Sequence, residues 1–207
     1  MSELIFNLEN ARAFARINKK ENGLDVGLVI DAINSIQKRI EFLKYFYGLF
    51  IEIAEESNLL LDRFGVFKDC NGIVLRNKYE ATAFAFLSNL HEMIDSYPFI
   101  YLGIFQDKIK DAKYLDWKNM EIYQSHNAVM KMFEFKKSNL FSKLDNINNC
   151  RKHRALPKIL NEYAYLNINT TPDSVEQNDN LKDLLRELHN ELIPKYFEIL
   201  NLTFTEN

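Results

Sequence analysis

The stretch NNCRKHRALPK, residues 148–158, is an unusual run of basic and titratable side chains. Histidine exchanges protons near neutral pH, and arginine and lysine bind the oxygens of phosphate groups. These residue types side by side predict either acid–base chemistry at a phosphate or a site that holds phosphates. The candidate residues are Arg151, Lys152, His153, Arg154 and Lys158.

Helical spacing relates this stretch to the predicted core. Leu140, Leu144 and Ile147 form an apolar stripe at three- or four-residue steps, and Arg151 and Arg154 continue it. A buried arginine requires a carboxylate or an anion. Two interpretations remain open: an anion or RNA site, or the basic last turn of an ordinary helix, where cations suit the helix dipole.

A second candidate is the segment NLHEMIDSYP. His91 and Asp95 are four residues apart on a predicted helix, so their side chains share a face. A carboxylate that orients an imidazole is a common arrangement for a general acid or base. The alternative is a buried histidine that is merely hydrogen-bonded. We also consider Asp95 or Glu92 as an ion-pair partner of Arg151.

The remaining histidines and the cysteines predict no metal or cofactor site. His126 and His189 have no second ligand at metal-binding spacing, and we expect both on the surface. Cys70 and Cys150 are too few for a disulfide framework, which favours a reduced, cytoplasmic setting. No phosphate-binding loop, dinucleotide-binding fingerprint or nucleophile elbow is present. We expect no cofactor.

The elements that position these residues are predicted to be long helices. Six Gly, four Pro and 47% hydrophobic residues indicate an all-α protein with a sizeable core, and we expect an antiparallel bundle. The predicted helices cover about 2–17, 25–61, 74–110 with a kink at Pro98, 116 onward, 138–157, and 181 onward with a kink at Pro194. We predict a bundle domain over 1–166, a polar connector over 167–180, and an amphipathic C-terminal helix over 181–207. That helix either completes the bundle or docks on a protein partner.

The net charge of −3 excludes the globally basic footprint typical of nucleic-acid-binding proteins. The charge is uneven, however. Residues 143–158 carry five basic and one acidic side chain, whereas residues 172–207 carry three basic and eight acidic ones. Any anion site should therefore lie in the first segment. The N-terminus does not look like a signal peptide, and no apolar run is long enough to span a membrane, so we expect no membrane association.

The helix order over about residues 25–160, the aromatic-rich HEMIDSYPFIYL and the late NNCRKHR resemble HEPN-type helical domains. This family includes toxin and phage-defence proteins. Its active members resemble metal-independent endoribonucleases that present an Arg, a polar residue and a His at a dimer interface. The resemblance implies a homodimer of a stress, toxin–antitoxin or defence system that acts on RNA.

The resemblance also implies roles for particular residues. His153 would be the acid or base at the ribose 2′-OH and the leaving oxygen, and Asn149 would orient it. Arg151 and Arg154 would stabilise the negative charge of the phosphorane. Apart from the resemblance, the spacing of His91 and Asp95 predicts that they support the site. Further phosphate contacts are predicted for Lys152 and Lys158. The alternative is a non-catalytic helical scaffold that acts through protein–protein contacts.

Overall fold

The computed structural model describes residues 6–64, 70–109, 111–153, 158–160, 165–167 and 178–205. Side chains are described for 6–55, 77–109, 111–149 and 181–205. Helices dominate this part of the chain, so the predicted all-α helical class is confirmed.

The first half of the chain is built from long helices. They are α1 (Leu8–Asn18), α2 (Val26–Phe64), α3 (Cys70–Asp95) and α4 (Tyr97–Phe105). The predicted single helix over 74–110 is therefore two helices, broken at Ser96. Pro98 lies at the start of α4, where its missing N–H and fixed φ are tolerated, but it cannot donate the bond that would continue α3.

The second half mixes shorter helices with a small sheet. Its helices are α5 (Trp117–Met120), α6 (Asn127–Lys136), α7 (Asn139–His153), α8 (Leu181–Glu187) and α9 (Ile193–Thr203). Short 3₁₀ turns flank α5 at Ala112–Tyr114 and Glu121–Tyr123, and a π-helical turn, Leu188–Leu192, joins α8 to α9. The predicted N-cap Asp116 is confirmed, since its side chain accepts a bond from the amide of Asn119.

Three short antiparallel strands follow α7. They are β1 (Lys158–Leu160), β2 (Tyr165–Asn167) and β3 (Asn178–Asn180), in the order β1–β2–β3. Lys158 pairs with Asn167, and Tyr165 pairs with both Leu160 and Asn180. Three-residue strands are too short to show a period-two pattern, and the sequence did not predict them. The predicted connector over 167–180 is described only at its two ends.

The contacts of the chain divide into two compact units. Unit 1 consists of residues 1–41, 92–138 and 192–207. In it α6 packs against α9, and α4 packs against α1 and α5. Its largest fully buried side chains include Ile33, Ile36, Met93, Ile94, Tyr97, Ile100, Tyr101 and Tyr196.

Unit 2 consists of residues 42–91 and 139–191. Within it α3 and α7 are antiparallel, because His91, late in α3, contacts Asp145, early in α7, whereas Asn148 contacts Leu87. The core of this unit includes Leu43, Phe50, Phe86, Leu87, Leu90, Leu144, Ile147, Leu184, Leu185 and Leu188.

The apolar residues of the C-terminal helices are buried inside the chain itself. Leu181, Leu184 and Leu185 of α8 are buried in unit 2, and Tyr196 and Leu200 of α9 are buried in unit 1. No helix in the described ranges is long and apolar enough to cross a membrane.

Candidate functional site

The basic stretch occupies the carboxyl end of α7. Arg151, Lys152 and His153 are the last three residues of this helix. In general, positive charge is favourable near the carboxyl end of a helix dipole. Their side chains and the whole of Arg154 lie outside the described residues, and Lys158 is described only as the first backbone position of β1. The roles assigned to these residues therefore stay predictions.

Immediately before the basic end, three side chains form a hydrogen-bonded chain. His91 Nε2 donates to Asp145 Oδ1 at 2.9 Å, and Asn149 Nδ2 donates to Asp145 Oδ2 at 3.1 Å. Both oxygens of one carboxylate are thus occupied by partners from α3 and from the next turn of α7. We call His91, Asp145 and Asn149 the anchor.

The anchor is buried at its His91 end and exposed at its Asn149 end. The His91 side chain is 5% exposed and lies parallel to the Phe141 ring, whereas the Asp145 side chain is 42% exposed. Asn149 is also exposed. Because His91 is so buried, it can hold Asp145 in place but does not face a macromolecular substrate. Asp145 and Asn149 are the members of the anchor that a ligand can reach.

The buried side-chain amide of Asn148 adds a further contact between α7 and α3. Asn148 is 1% exposed, and its Nδ2 donates to the carbonyl oxygens of Leu144, at 3.0 Å, and Leu87, at 3.4 Å. A buried amide without such partners would be costly, so these bonds favour one register of α7 on α3. The last turn of α7, which carries the basic residues, therefore comes directly after a turn that is hydrogen-bonded to α3.

The predicted partner of His91 was Asp95, and the structure places Asp145 at Nε2 instead. Asp95 accepts a bond from the indole Nε1 of Trp117 at 3.1 Å. Glu92, the other carboxylate considered as a partner of Arg151, forms an ion pair with Arg39 at 2.8 Å. Sequence spacing missed these partners because Asp145 and Trp117 are far from their partners along the chain.

A second polar cluster, which the sequence did not predict, lies in unit 1. Tyr101 is 2% exposed, and its hydroxyl is hydrogen-bonded to Nδ1 of His126 at 2.7 Å. The Tyr123 ring contacts both rings edge-on. Burial raises the pKa of Tyr123, with Asp107 adding to the rise and Lys20 opposing it. His126 is exposed, as predicted, and this contact orients its ring.

The last histidine, His189, lies in the π-helical turn Leu188–Leu192. Its ring stacks on that of Tyr47, with centroids 3.9 Å apart and an interplanar angle of 6°. Its Nδ1 is 2.9 Å from Asn190 Oδ1. His189 is half-buried rather than a plain surface residue, because the Tyr47 ring covers one of its faces.

Within the ranges that the structure describes, no three His, Cys, Asp or Glu side chains come together to hold a metal ion. A scan against protein-family models and searches of curated proteins and solved structures found no match.

Proposed function

We propose that this chain is an RNA-binding protein of the HEPN type, and that the basic end of α7 is where phosphate groups bind. The observation that carries the proposal is the anchor, which ties α7 to α3 directly before Arg151, Lys152 and His153. A fixed helix end can hold several cationic side chains at constant spacing, which lowers the ordering cost of binding a charged polymer.

Helix geometry supports the inclusion of Asn149 in this site. Positions 145, 149 and 153 of α7 are four residues apart, so they share one face. The rise of an α-helix places 149 and 153 about 6 Å apart along its axis. The amide nitrogen of Asn149 carries two hydrogens, of which Asp145 uses one. The second is suited to a phosphate or ribose oxygen bound beside position 153.

The proposal extends to RNA cleavage without a metal. His153 would remove the proton of a ribose 2′-OH, or protonate the leaving 5′-oxygen. The 2′-oxygen would then form a bond to phosphorus as the bond to the 5′-oxygen breaks. Arg151 and Arg154 would stabilise the negative charge on the phosphate oxygens. Lys152 and Lys158 would contact neighbouring phosphates, and the resemblance to HEPN domains adds that the active form is a homodimer.

The test combines binding and cleavage of one labelled single-stranded RNA by the purified full chain in excess EDTA. Binding is measured by fluorescence anisotropy over a range of salt concentrations. Loss of one phosphate contact in Arg151→Gln should lower affinity and reduce the slope of log K against log salt by about 0.7. Arg186→Gln is the matched control, because Arg186 is exposed and pairs with Asp183 in the acidic C-terminal segment.

The outcomes separate the parts of the proposal. Binding that both variants weaken equally, or that does not depend on salt, would contradict phosphate contacts at α7. Cleavage by the wild type and by His126→Ala, but not by His153→Ala, would assign the chemistry to the α7 end. Salt-dependent binding without cleavage would support RNA binding by this protein and contradict the proposed RNA cleavage.

The alternative function is a protein-binding scaffold. It draws support from described arginines that pair with acids of the same chain, for example Arg12 with Glu9 and Arg39 with Glu92. In a scaffold the basic end of α7 would be neutralised in the same way, and the full chain would show no RNA affinity at physiological salt. Because the apolar face of the C-terminal helices is buried, a protein partner there would contact their polar residues.

A further inference from the structure

A cleft in unit 1 carries opposite charges on its two walls. It lies between α6 and α9, has a volume of about 270 Å³, and is lined by Lys131, Glu198, Ile199, Asn201, Leu202 and Thr205. The α9 residues 198, 201 and 202 are three and four residues apart, so they share one face of the helix. Thr205 follows in the turn after α9. Lys131 is contributed by α6.

Some polar groups in the cleft already form hydrogen bonds within the protein, whereas others do not. Asn201 Oδ1 accepts a bond from the amide of Asn7, and the Thr205 hydroxyl donates to the carbonyl of Leu202. In contrast, neither Lys131 nor Glu198 forms a hydrogen bond or an ion pair with any residue that the structure describes. The cleft therefore presents one ammonium and one carboxylate that are available to a ligand.

The rest of the cleft is apolar. Ile199 is 7% exposed, and Leu202 is half-buried beside it. Pockets for drug-sized molecules begin at roughly 300 Å³, so a volume of about 270 Å³ matches a smaller molecule. A ligand that complements this site has a carboxylate, an ammonium group and a short aliphatic portion.

We propose that this cleft binds a free α-amino acid with an aliphatic side chain. Lys131 would bind its carboxylate, Glu198 its ammonium group, and Ile199 and Leu202 its side chain. The proposal is independent of RNA binding, which is assigned to α7 in unit 2. For a ligand this small, we expect a dissociation constant on the order of 1 mM.

The test uses leucine as the probe and follows the backbone amide signals of the full chain by NMR during titration. Two analogues each lack one charge: 4-methylpentanoate has no ammonium group, and 3-methylbutylamine has no carboxylate. Lys131→Gln should weaken leucine about fivefold or more but leave the amine unaffected. Glu198→Gln should weaken leucine similarly and leave 4-methylpentanoate unaffected. Dileucine, whose charges are farther apart, should bind more weakly than leucine.

The controls are Lys137→Gln and Glu134→Gln, which change exposed charges on or next to the same helix. Both should bind leucine like the wild type. The proposal is overturned if signals from α6 and α9 do not move with leucine at 20-fold the expected constant, roughly 20 mM. It is also overturned if each substitution weakens all three ligands equally, or if the controls weaken leucine as much.

Discussion

The carboxylate of Asp145 joins an exposed helix face to a buried imidazole. One oxygen accepts from Asn149 and the other from His91, which is 54 residues before Asp145, so the position of Asn149 depends on a residue far away in the chain. Charge-assisted hydrogen bonds of this kind are stronger than neutral ones, and the buried partner has no water to replace the lost contact. We therefore expect substitution of Asp145 to lower the free energy of unfolding by more than the partial exposure of its side chain would indicate.

Asp145→Ala removes the Nε2 partner of the buried His91 and should lower the free energy of unfolding by about 1–3 kcal/mol. Asp145→Asn keeps one acceptor oxygen and should cost less. Asn146→Ala, an exposed neighbour on α7, is the control and should change stability by no more than about 0.5 kcal/mol. Urea unfolding measures all three. Equal stability of Asp145→Ala and the control would refute the anchor.

Tyr196 should make the stability of the folded chain depend on pH in the alkaline range. Its hydroxyl is fully buried and donates to the carbonyl of Met93 at 3.0 Å, and burial, followed by the nearby Tyr97, raises its pKa above the usual 10. In the unfolded chain this tyrosine loses its proton near pH 10, whereas in the folded chain it keeps it. Stability should therefore fall as pH rises above 10.

Tyr196→Phe should make this fall less steep, by up to about 1.4 kcal/mol per pH unit. At pH 8 the same substitution should cost about 1 kcal/mol through the lost hydrogen bond. The measurement is urea unfolding at pH 8 and pH 11. Tyr114→Phe, at a tyrosine that is 49% exposed, is the control. An unchanged fall in Tyr196→Phe would show that other groups cause it.

At the scale of elements, the connection between α1 and α2 is attached by backbone hydrogen bonds and by one buried asparagine side chain. Asn22 is 4% exposed and donates to the carbonyls of Gly103, at 3.0 Å, and Gln106, at 2.9 Å. Its Oδ1 accepts from the amide of Leu24 at 3.2 Å. Gly23, which follows it, has a φ of 87°, a value that glycine adopts without strain. These bonds attach the connection to the carboxyl end of α4.

Asn22→Ala should lower the free energy of unfolding by about 2–4 kcal/mol, because it leaves several polar backbone groups without their partner. The exposed Asn127 provides a matched asparagine-to-alanine control, with an expected change below about 1 kcal/mol. Hydrogen exchange should also accelerate at Leu24 in Asn22→Ala. Loss of the same size in both variants would contradict the role given to Asn22.

At the scale of the whole molecule, positive charge is concentrated in particular segments of the chain. The chain carries a net charge of −3, yet residues 143–158 have an excess of four positive charges. RNA binding at the end of α7 would depend on this local charge and not on a general attraction. This is why a single arginine substitution should change the salt dependence measurably.

Much of the fold follows from the sequence alone because helix formation depends on neighbours along the chain. Apolar residues at three- and four-residue steps predicted α2, α3 and α7, and Asp116 was predicted as a cap from its position before Trp117. The location of the break near Pro98 was also predictable. That α3 ends at Asp95, instead of bending as one helix, is seen only in the structure.

The partners of the site residues were decided by the tertiary structure. Asp145 reaches His91 and Tyr101 reaches His126 across 54 and 25 residues. No local period relates such positions, because they meet only when separate helices pack. The cleft between α6 and α9 is equally invisible in the sequence. Local interactions thus determine which segments become helices, whereas the packing of those helices decides which side chains meet.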